Sequence, residues 1–227
     1  MILHAENVKK SFSQGDRKVD VLKGLNLEVT KGQTLAIIGQ SGSGKSTLLS
    51  LLAGLDQPTS GKVSVDGNDL GSLNEEQLAL YRGQKIGLVF QQFHLMKHLT
   101  ALENVALPLE ILKMENPRER AAACLEQLSL SHRLDHFPHQ LSGGECQRVA
   151  IARAIAPKPS LLLADEPSGN LDSDTGDRVV SELFDLVAHN DMTMLVVTHS
   201  QLLADRCNSK LLLQDGVLKP VESRLEL

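Results

Sequence analysis

The run Gly39-Gln40-Ser41-Gly42-Ser43-Gly44-Lys45-Ser46-Thr47 constrains this chain more than any other stretch. The apolar segment Leu35–Ile38 precedes it and Leu48–Ala53 follows. The first predicts a buried strand and the second a helix. The glycines therefore stand where strand turns into helix, which is the context a phosphate-binding loop requires. Glycines let backbone N–H groups gather round an anion without Cβ clashes. The helix start behind them adds partial positive charge and unpaired donors. In such a loop Lys45 reaches the β- and γ-phosphates, and the Ser46 hydroxyl sits on Mg²⁺. By chance the spaced pattern arises in roughly one chain in a hundred of this length. The expectation is a nucleoside triphosphate held by Gly39–Thr47.

Composition narrows the class. A chain of 227 residues, 41% hydrophobic, makes one large domain or two small ones. A net charge of −5 argues against a strongly electropositive nucleic-acid surface. Cys124, Cys146 and Cys207 are spread out with no C-x-x-C spacing, so they read as reduced cytosolic thiols and not as a disulfide framework or zinc site. Met1–Glu6 lacks the basic and apolar regions of a signal peptide. No apolar run approaches the ~20 residues that span a bilayer. A membrane role is therefore expected only through a partner.

The pattern along the chain is α/β. Residues 2–8 and 21–29 read as strands joined by the polar stretch Ser13–Lys18. Lys62–Val65 with Asp66-Gly67 reads as a strand and tight turn. Asn74-Glu75-Glu76-Gln77 opens a helix running to about Arg82, and Lys85–Phe90 is a buried strand ending at Gln91. Residues 94–156 look helical, with starts at Thr100 and at Asn116-Pro117. Ser160–Asp165 and Thr193–Thr198 are buried strands flanking a helix over about 174–189, whose apolar face is Val179, Val180, Leu183, Phe184 and Val187. Lys210–Leu218 reads as a hairpin turning at Asp215-Gly216. Buried strands alternating with helices predict a parallel sheet with ligand at the strands' C-terminal ends. The loop after Ile38, Gln91, Asp165-Glu166 and His199 all fall at such ends.

Leu161–Glu166 is an apolar strand ending in two carboxylates. Phosphoryl transfer needs Mg²⁺ to neutralise charge on the phosphates. Asp165 suits the metal, through water, and Glu166 suits the polarising of an attacking water. Two carboxylates at a strand end are also a common exposed feature; the phosphate loop in the same chain favours the chemical reading. His199 suits a hydrogen bond to the γ-phosphate, and Gln91 the orienting of water or metal. Either also reads as an ordinary structural residue. Leu141-Ser142-Gly143-Gly144-Glu145 contains a plain helix capping box, Ser142 with Glu145. The box does not account for Gly143 and Gly144, each of which costs roughly 1 kcal/mol against alanine in a helix. A helix start stripped of side chains suits a second anion site.

Taken together, Gly39–Ser46, Gln91, Leu141–Glu145, Asp165-Glu166, Asn170-Leu171-Asp172 and His199, in that order, resemble the nucleotide-binding subunit of ATP-binding cassette (ABC) transporters. The Leu-Ser-Gly-Gly-Glu signature is the specific part. The resemblance implies a P-loop domain with a mixed-sheet core and an antiparallel β subdomain (1–93 and 157–227), and an inserted α-helical subdomain (about 94–156) bearing the signature. It implies an ATPase using ATP and Mg²⁺. It also implies a second copy of the chain, so that each ATP lies between one phosphate loop and the partner's Ser142, Gly143, Gly144 and Glu145. Phe12 would stack on adenine, Asp172 would link the two sites, and Ser46, Gln91 and Asp165 would serve the metal. Glu166, His199, Gln91 and Lys45 form the catalytic set.

Gly54-Leu55-Asp56, Phe90–Phe93, Leu99–Val105 and Ser168–Asp172 are similar to the lipoprotein-releasing, macrolide-exporting and cell-division group. That likeness implies a separate membrane permease and a cytoplasmic place on the inner face of the membrane, with no nucleic acid. Cys146 and Ser168 depart from the group's usual Gln and Thr without removing a group that hydrolysis needs. Two other readings are an ATP-gated switch for an extracytoplasmic hydrolase and a soluble non-transport ATPase. The second is disfavoured by the single cassette and the acidic balance.

Overall fold

The structure, a computed structural model, describes residues 1–15 and 17–221. Asp16, in the polar stretch expected to join the first two strands, lies outside the described residues. Contacts divide the chain into two units, Met1–Asn74 with the segment from Thr193 onward, and Glu75–Met192. In chain order the first unit holds β1 (Leu3–Gln14), β2 (Arg17–Val29), β3 (Thr34–Ile38), α1 (Lys45–Leu52), β4 (Ser60–Val65) and β5 (Asn68–Asp69). The second holds α2 (Glu75–Lys85), β6 (Ile86–Val89), α3 (Ala101–Ile111), α4 (Pro117–Gln127), α5 (Gly143–Ile155), β7 (Leu161–Asp165) and α6 (Ser173–His189). The chain then returns to the first with β8 (Thr193–Thr198), α7 (Gln201–Ala204), β9 (Ser209–Gln214) and β10 (Val217–Pro220).

Within the first unit, β2-β1-β4-β5 form an antiparallel sheet. The β1–β2 ladder runs from Leu3↔Val29 to Gln14↔Arg17, well past the strands expected over 2–8 and 21–29. Pairing is a backbone property, so Ser13 and Gln14 continue the ribbon against Lys18 and Arg17, and register shifts near Val8 and Ser11 add twist. The other strands are mixed. β3 runs parallel to β8 and β9, and β10 turns back antiparallel on β9. The turn places Asp215 at φ 53° and Gly216 at φ 80°, the pair of positive φ values a two-residue hairpin needs. All six residues of β8 are buried, as an apolar run without alternation requires.

In the second unit β6 and β7 pair in parallel, Val89 opposite Ala164. Helices α3, α4 and α5 pack on one another, and α5 also packs on β6 and α6. That packing groups β6, β7 and α6 with the helices in the second unit. Thr100 caps α3 with a complete capping box. Pro117 opens α4, whereas Asn116 sits at φ 50° and makes no side-chain cap. On α6 the buried face is Val179, Val180, Leu183, Leu186 and Val187. Phe184, expected on that face, is only half-buried and Leu186 takes its place. Each such buried Leu or Val contributes about 1.5–3 kcal/mol over exposure.

Candidate nucleotide site

Ile38 pairs with Thr198 at the ends of parallel β3 and β8, so Gly39 and His199 leave the first unit's sheet at the same end. The loop after β3 is built for close approach. A Cβ on Gly39 would stand 2.6 Å from the Leu213 carbonyl oxygen and 2.7 Å from the Ser43 hydroxyl. Gly44, at φ 100°, opens α1 with no side-chain cap, leaving the helix's first donors to the loop's own interior. Lys45 is buried, and its ammonium donates to the carbonyls of Gly39 at 2.8 Å and Gln40 at 3.0 Å. An ammonium has three donors, so one remains for an incoming oxygen. The Ser43 hydroxyl is buried without a hydrogen-bond partner among the described residues. Such an orphan costs about 1–3 kcal/mol until something supplies the bond. Uncapped helix start, spare ammonium donor and orphan hydroxyl together fit a polyphosphate.

Gln40, Ser41, Gly42 and Ser43 also wall a cleft of about 480 Å³, closed by Val19–Val21 of β2 and by Leu212–Gly216 of the β9–β10 hairpin. Ser46 is exposed and Thr47 half-buried. Phe12 stands opposite Val19, 44% exposed, with the Lys10 ammonium 5.1 Å from its ring centre. It is therefore not a core aromatic. His199 is exposed just beyond β8, where Thr198 Oγ1 accepts from the Ser200 N–H at 3.0 Å and fixes the turn.

The second unit repeats the arrangement. With Val89 opposite Ala164, Gln91 and the pair Asp165-Glu166 leave β6 and β7 at one end. Asp165 and Glu166 are half-buried. Glu166 adopts φ 45°, a left-handed conformation costing a non-glycine residue of order 1 kcal/mol, and its carbonyl accepts from Gly169 N–H at 2.9 Å. Gln91 is committed to Asn170. Its amide nitrogen donates to Asn170 Oδ1 at 3.2 Å, and Asn170 Nδ2 donates back to the Gln91 carbonyl at 2.8 Å. Asp172 caps α6, accepting from Thr175 N–H at 3.1 Å. That backbone bond holds its carboxyl below the usual range.

Ser142 caps α5 in a complete capping box. Glu145 Oε2 accepts from Ser142 N–H at 2.7 Å, and Oε1 stands 2.7 Å from Arg133 Nε. Burial pushes this carboxyl up, but the bonds from Ser142 and Arg133 outweigh it and bring it to about 2. Both carboxylate oxygens being occupied, Glu145 acts here as a brace for the signature helix. Gly144 has a reason that the capping box did not supply: a Cβ there would stand 2.5 Å from Thr175 Cγ2, so α5 meets α6 through it. Gly143 is exposed, with Leu171 Cδ2 3.2 Å from where its Cβ would be.

Three supporting residues escaped the sequence reading. Arg133 is one. Asn104, wholly buried, accepts from Met96 N–H at 2.8 Å and donates toward the carbonyls of Met96, Leu99 and Thr100. Arg153 donates to the carbonyls of His94 at 2.6 Å and Phe93 at 3.0 Å. Asn104 and Arg153 thus shape the loop after Gln91. That loop forms one wall of a groove of about 670 Å³, with Pro138, His139 and Cys146 on the other. A buried polar residue beside Ala101, Val105 and Ala106 was the one signal available for Asn104; the two arginines gave none.

The chain is similar to known proteins in both sequence and fold. The family described as ABC transporter matches residues 22–169. An uncharacterized ABC transporter ATP-binding protein, YbbA of Escherichia coli, is 49% identical over 221 residues, covering 96% of each chain. The lipoprotein-releasing system ATP-binding protein LolD of Saccharophagus degradans is 46% identical over 219 residues, again covering 96% of each. Among solved structures, the ATP-binding cassette MJ0796, a dimer in a post-hydrolysis state bound to ADP and Pi, aligns with a TM-score of 0.89. It is 41% identical, covering 96% of this chain and 97% of that one.

Proposed function

The chain belongs to the ABC transporter family, and from that membership we propose that it is the ATP-hydrolysing subunit that drives a separate membrane permease, working as an ATP-closed dimer of itself. The observation that carries the nucleotide reading is the buried Lys45 ammonium beside the orphan Ser43 hydroxyl at an uncapped helix start. Among the described residues no helix is long and apolar enough to cross a membrane.

The phosphate loop binds the triphosphate, and Lys45 offsets charge on the β- and γ-phosphates. Phe12, an exposed ring, stacks on the base. Ser142 and the N–H groups of Gly143 and Gly144 contact the γ-phosphate bound by the partner copy, while Glu145 braces the helix that presents them. Glu166 accepts a proton from water as the water oxygen bonds to the γ-phosphorus. The bond from that phosphorus to the β–γ bridging oxygen breaks, leaving ADP and phosphate. His199 donates to a γ-phosphate oxygen, and Asp172 carries the state of one site to the other. Ser46, Asp165 and Gln91 offer only oxygen donors, the set a hard divalent cation takes; Mg²⁺ held there would neutralise phosphate charge. In this reading the groove between Gln92–Lys97 and Pro138–Cys146 is the seat for a cytoplasmic helix of the permease, with the subunit on the inner face of the membrane. The relatives' names favour a permease of the lipoprotein-releasing or efflux kind.

Size-exclusion chromatography of Glu166→Gln with and without ATP–Mg²⁺ tests the reading. A shift from monomer to dimer with ATP alone supports it. A monomer in both conditions, and again with permease present, defeats it.

A further inference from the structure

Lys10 is a cation whose donors are all committed. Its ammonium stands 2.7 Å from Asp56 Oδ1 and 2.7 Å from Oδ2, and donates to the Gln57 carbonyl at 2.8 Å. An ammonium has three donors, and these three oxygens match them. Only 12% of the side chain is exposed. The bond from Lys10 in turn holds the Asp56 carboxyl below the usual range. The partners are themselves fixed. Thr59 N–H donates to the Lys9 carbonyl at 2.8 Å, and Thr59 Oγ1 accepts from Ser11 N–H at 3.1 Å. The loop that carries Asp56 and Gln57 is thus pinned to β1 on both sides of Lys10. At its other end Leu55 N–H donates to the Ser50 carbonyl of α1 at 2.9 Å.

The same ammonium lies over the Phe12 ring, 5.1 Å from its centre. Lys10 and Phe12 are two apart on a strand, so their side chains share a face. The register shift between them puts the extra residue, Val21, in β2, and β1 keeps its alternation. Phe12 pairs with Val19, which also lines the cleft walled by Gln40–Ser43. One face of the ring is therefore backed by charge, while the ring as a whole stays exposed next to a residue of the phosphate loop's cleft.

We propose that Lys10 is a positioning residue for the base of the nucleotide, an inference that rests on the reading of Phe12 as the base's stacking partner. Held by Asp56 and Gln57, the ammonium backs the Phe12 ring and keeps the opposite face turned to the purine. A cation is drawn to the negative face of a ring. This one cannot follow the ring without breaking its bonds to Asp56 and Gln57, so the ring gives up in advance the rotamer freedom that stacking would cost. Density drawn toward the ammonium also leaves the far face less negative, which suits an electron-rich purine. With its donors spent, Lys10 acts on the nucleotide through the ring and not as a phosphate ligand. The loop that anchors it follows α1, the helix that starts at Lys45, so the ring's backing and the phosphate loop are tied to one helix.

Two probes separate base from phosphate. One is a radiolabelled imido analogue of ATP, bound without being hydrolysed; the other is inorganic tripolyphosphate, read by its displacement of that analogue. Lys10→Met should weaken the analogue by ~5-fold, the scale of one desolvated cation–π contact, and leave the tripolyphosphate constant unchanged. Phe12→Ala should weaken the analogue by ~10-fold, stacking being worth more, and again spare tripolyphosphate. In a Phe12→Ala background, Lys10→Met should add nothing. Lys10→Arg, still a cation that stacks on rings, should stay near wild type. Lys10→Met with Asp56→Asn leaves no unpaired carboxylate and should match Lys10→Met.

A Phe12→Ala effect with none from Lys10→Met or from the double variant would overturn the role given to Lys10 and leave that of Phe12. No effect from Phe12→Ala would overturn the stacking reading, and this inference with it. Equal weakening of the analogue and of tripolyphosphate, by Lys10→Met and by the double variant, would mark a general loss of charge or fold and overturn the positioning role.

Discussion

Arg133 Nε stands 2.7 Å from Glu145 Oε1, so the first turn of the signature helix is tied to a side chain twelve residues upstream. Glu145 is 12% exposed, and its second oxygen serves the Ser142 N–H. Its carboxyl lies at about 2, below the ordinary 4.5. A depressed carboxyl contributes stability that is complete above its unfolded value and is lost as pH falls from 4.5 through about 2. Arg133→Met should lower stability near neutral pH by about 1–3 kcal/mol. It should also flatten the acid limb between those two values. Urea unfolding at stepped pH reads both; an unchanged acid limb would remove Arg133 from the pairing.

Gly144→Ala should be costly in the isolated subunit. Its Cβ would enter to 2.5 Å from Thr175 Cγ2, an overpacked contact worth about 1–3 kcal/mol. Thr175→Ser removes that methyl and should recover most of the loss, as a fall and return in Tm. Gly143→Ala, at an exposed position, should shift Tm little and weaken ATP-dependent dimerisation instead. Equal thermal penalties at the two glycines would refute the division of labour.

Lys45→Ala removes a buried ammonium together with its bonds to Gly39 and Gln40. ATP affinity should fall by ~10-fold or more, one charge-assisted contact being worth about 1.5–3 kcal/mol. Equilibrium binding of a radiolabelled nucleotide settles this, and an unchanged constant would remove the phosphate loop from its role.

Asn104→Ala leaves the Met96 N–H and several carbonyls without their partner. The variant should lose about 3 kcal/mol, since each buried orphan costs about 1–3. The loop after Gln91 should then exchange its amide hydrogens faster while Gly39–Ser46 does not. Uniform acceleration across the chain would point to general destabilisation, and unchanged protection would deny Asn104 its part.

How much was readable follows the range of the interactions. Gly39–Thr47 is one contiguous stretch in which Lys45 meets the carbonyls of Gly39 and Gln40 within six residues, so its spacing was visible in the sequence, whereas the partners of Gly39 at Leu213 and of β3 at β8 and β9 were not. β8 was recognisable residue for residue because six consecutive buried positions admit little else. The β1–β2 ribbon was underestimated because its outer half is polar and only backbone pairing holds it. Gly144 needed Thr175, thirty-one positions on, and Glu145 needed Arg133. Neither partner leaves a trace in local spacing. The grouping of β6, β7 and α6 with the helices depends on α5 touching β6 and α6, a property of packing that no single segment carries.

Helix α5 is capped by Ser142 and, one turn later, lends Cys146 to the groove wall. Thirteen residues of continuous hydrogen-bonded backbone cannot bend between those points as a loop would. A ligand that seats in the groove and one that touches the helix start are therefore gripping the same rod. Any preference the groove's occupant has for one pose of that rod is returned, by thermodynamic reciprocity, as an equal factor in the affinity at the other end.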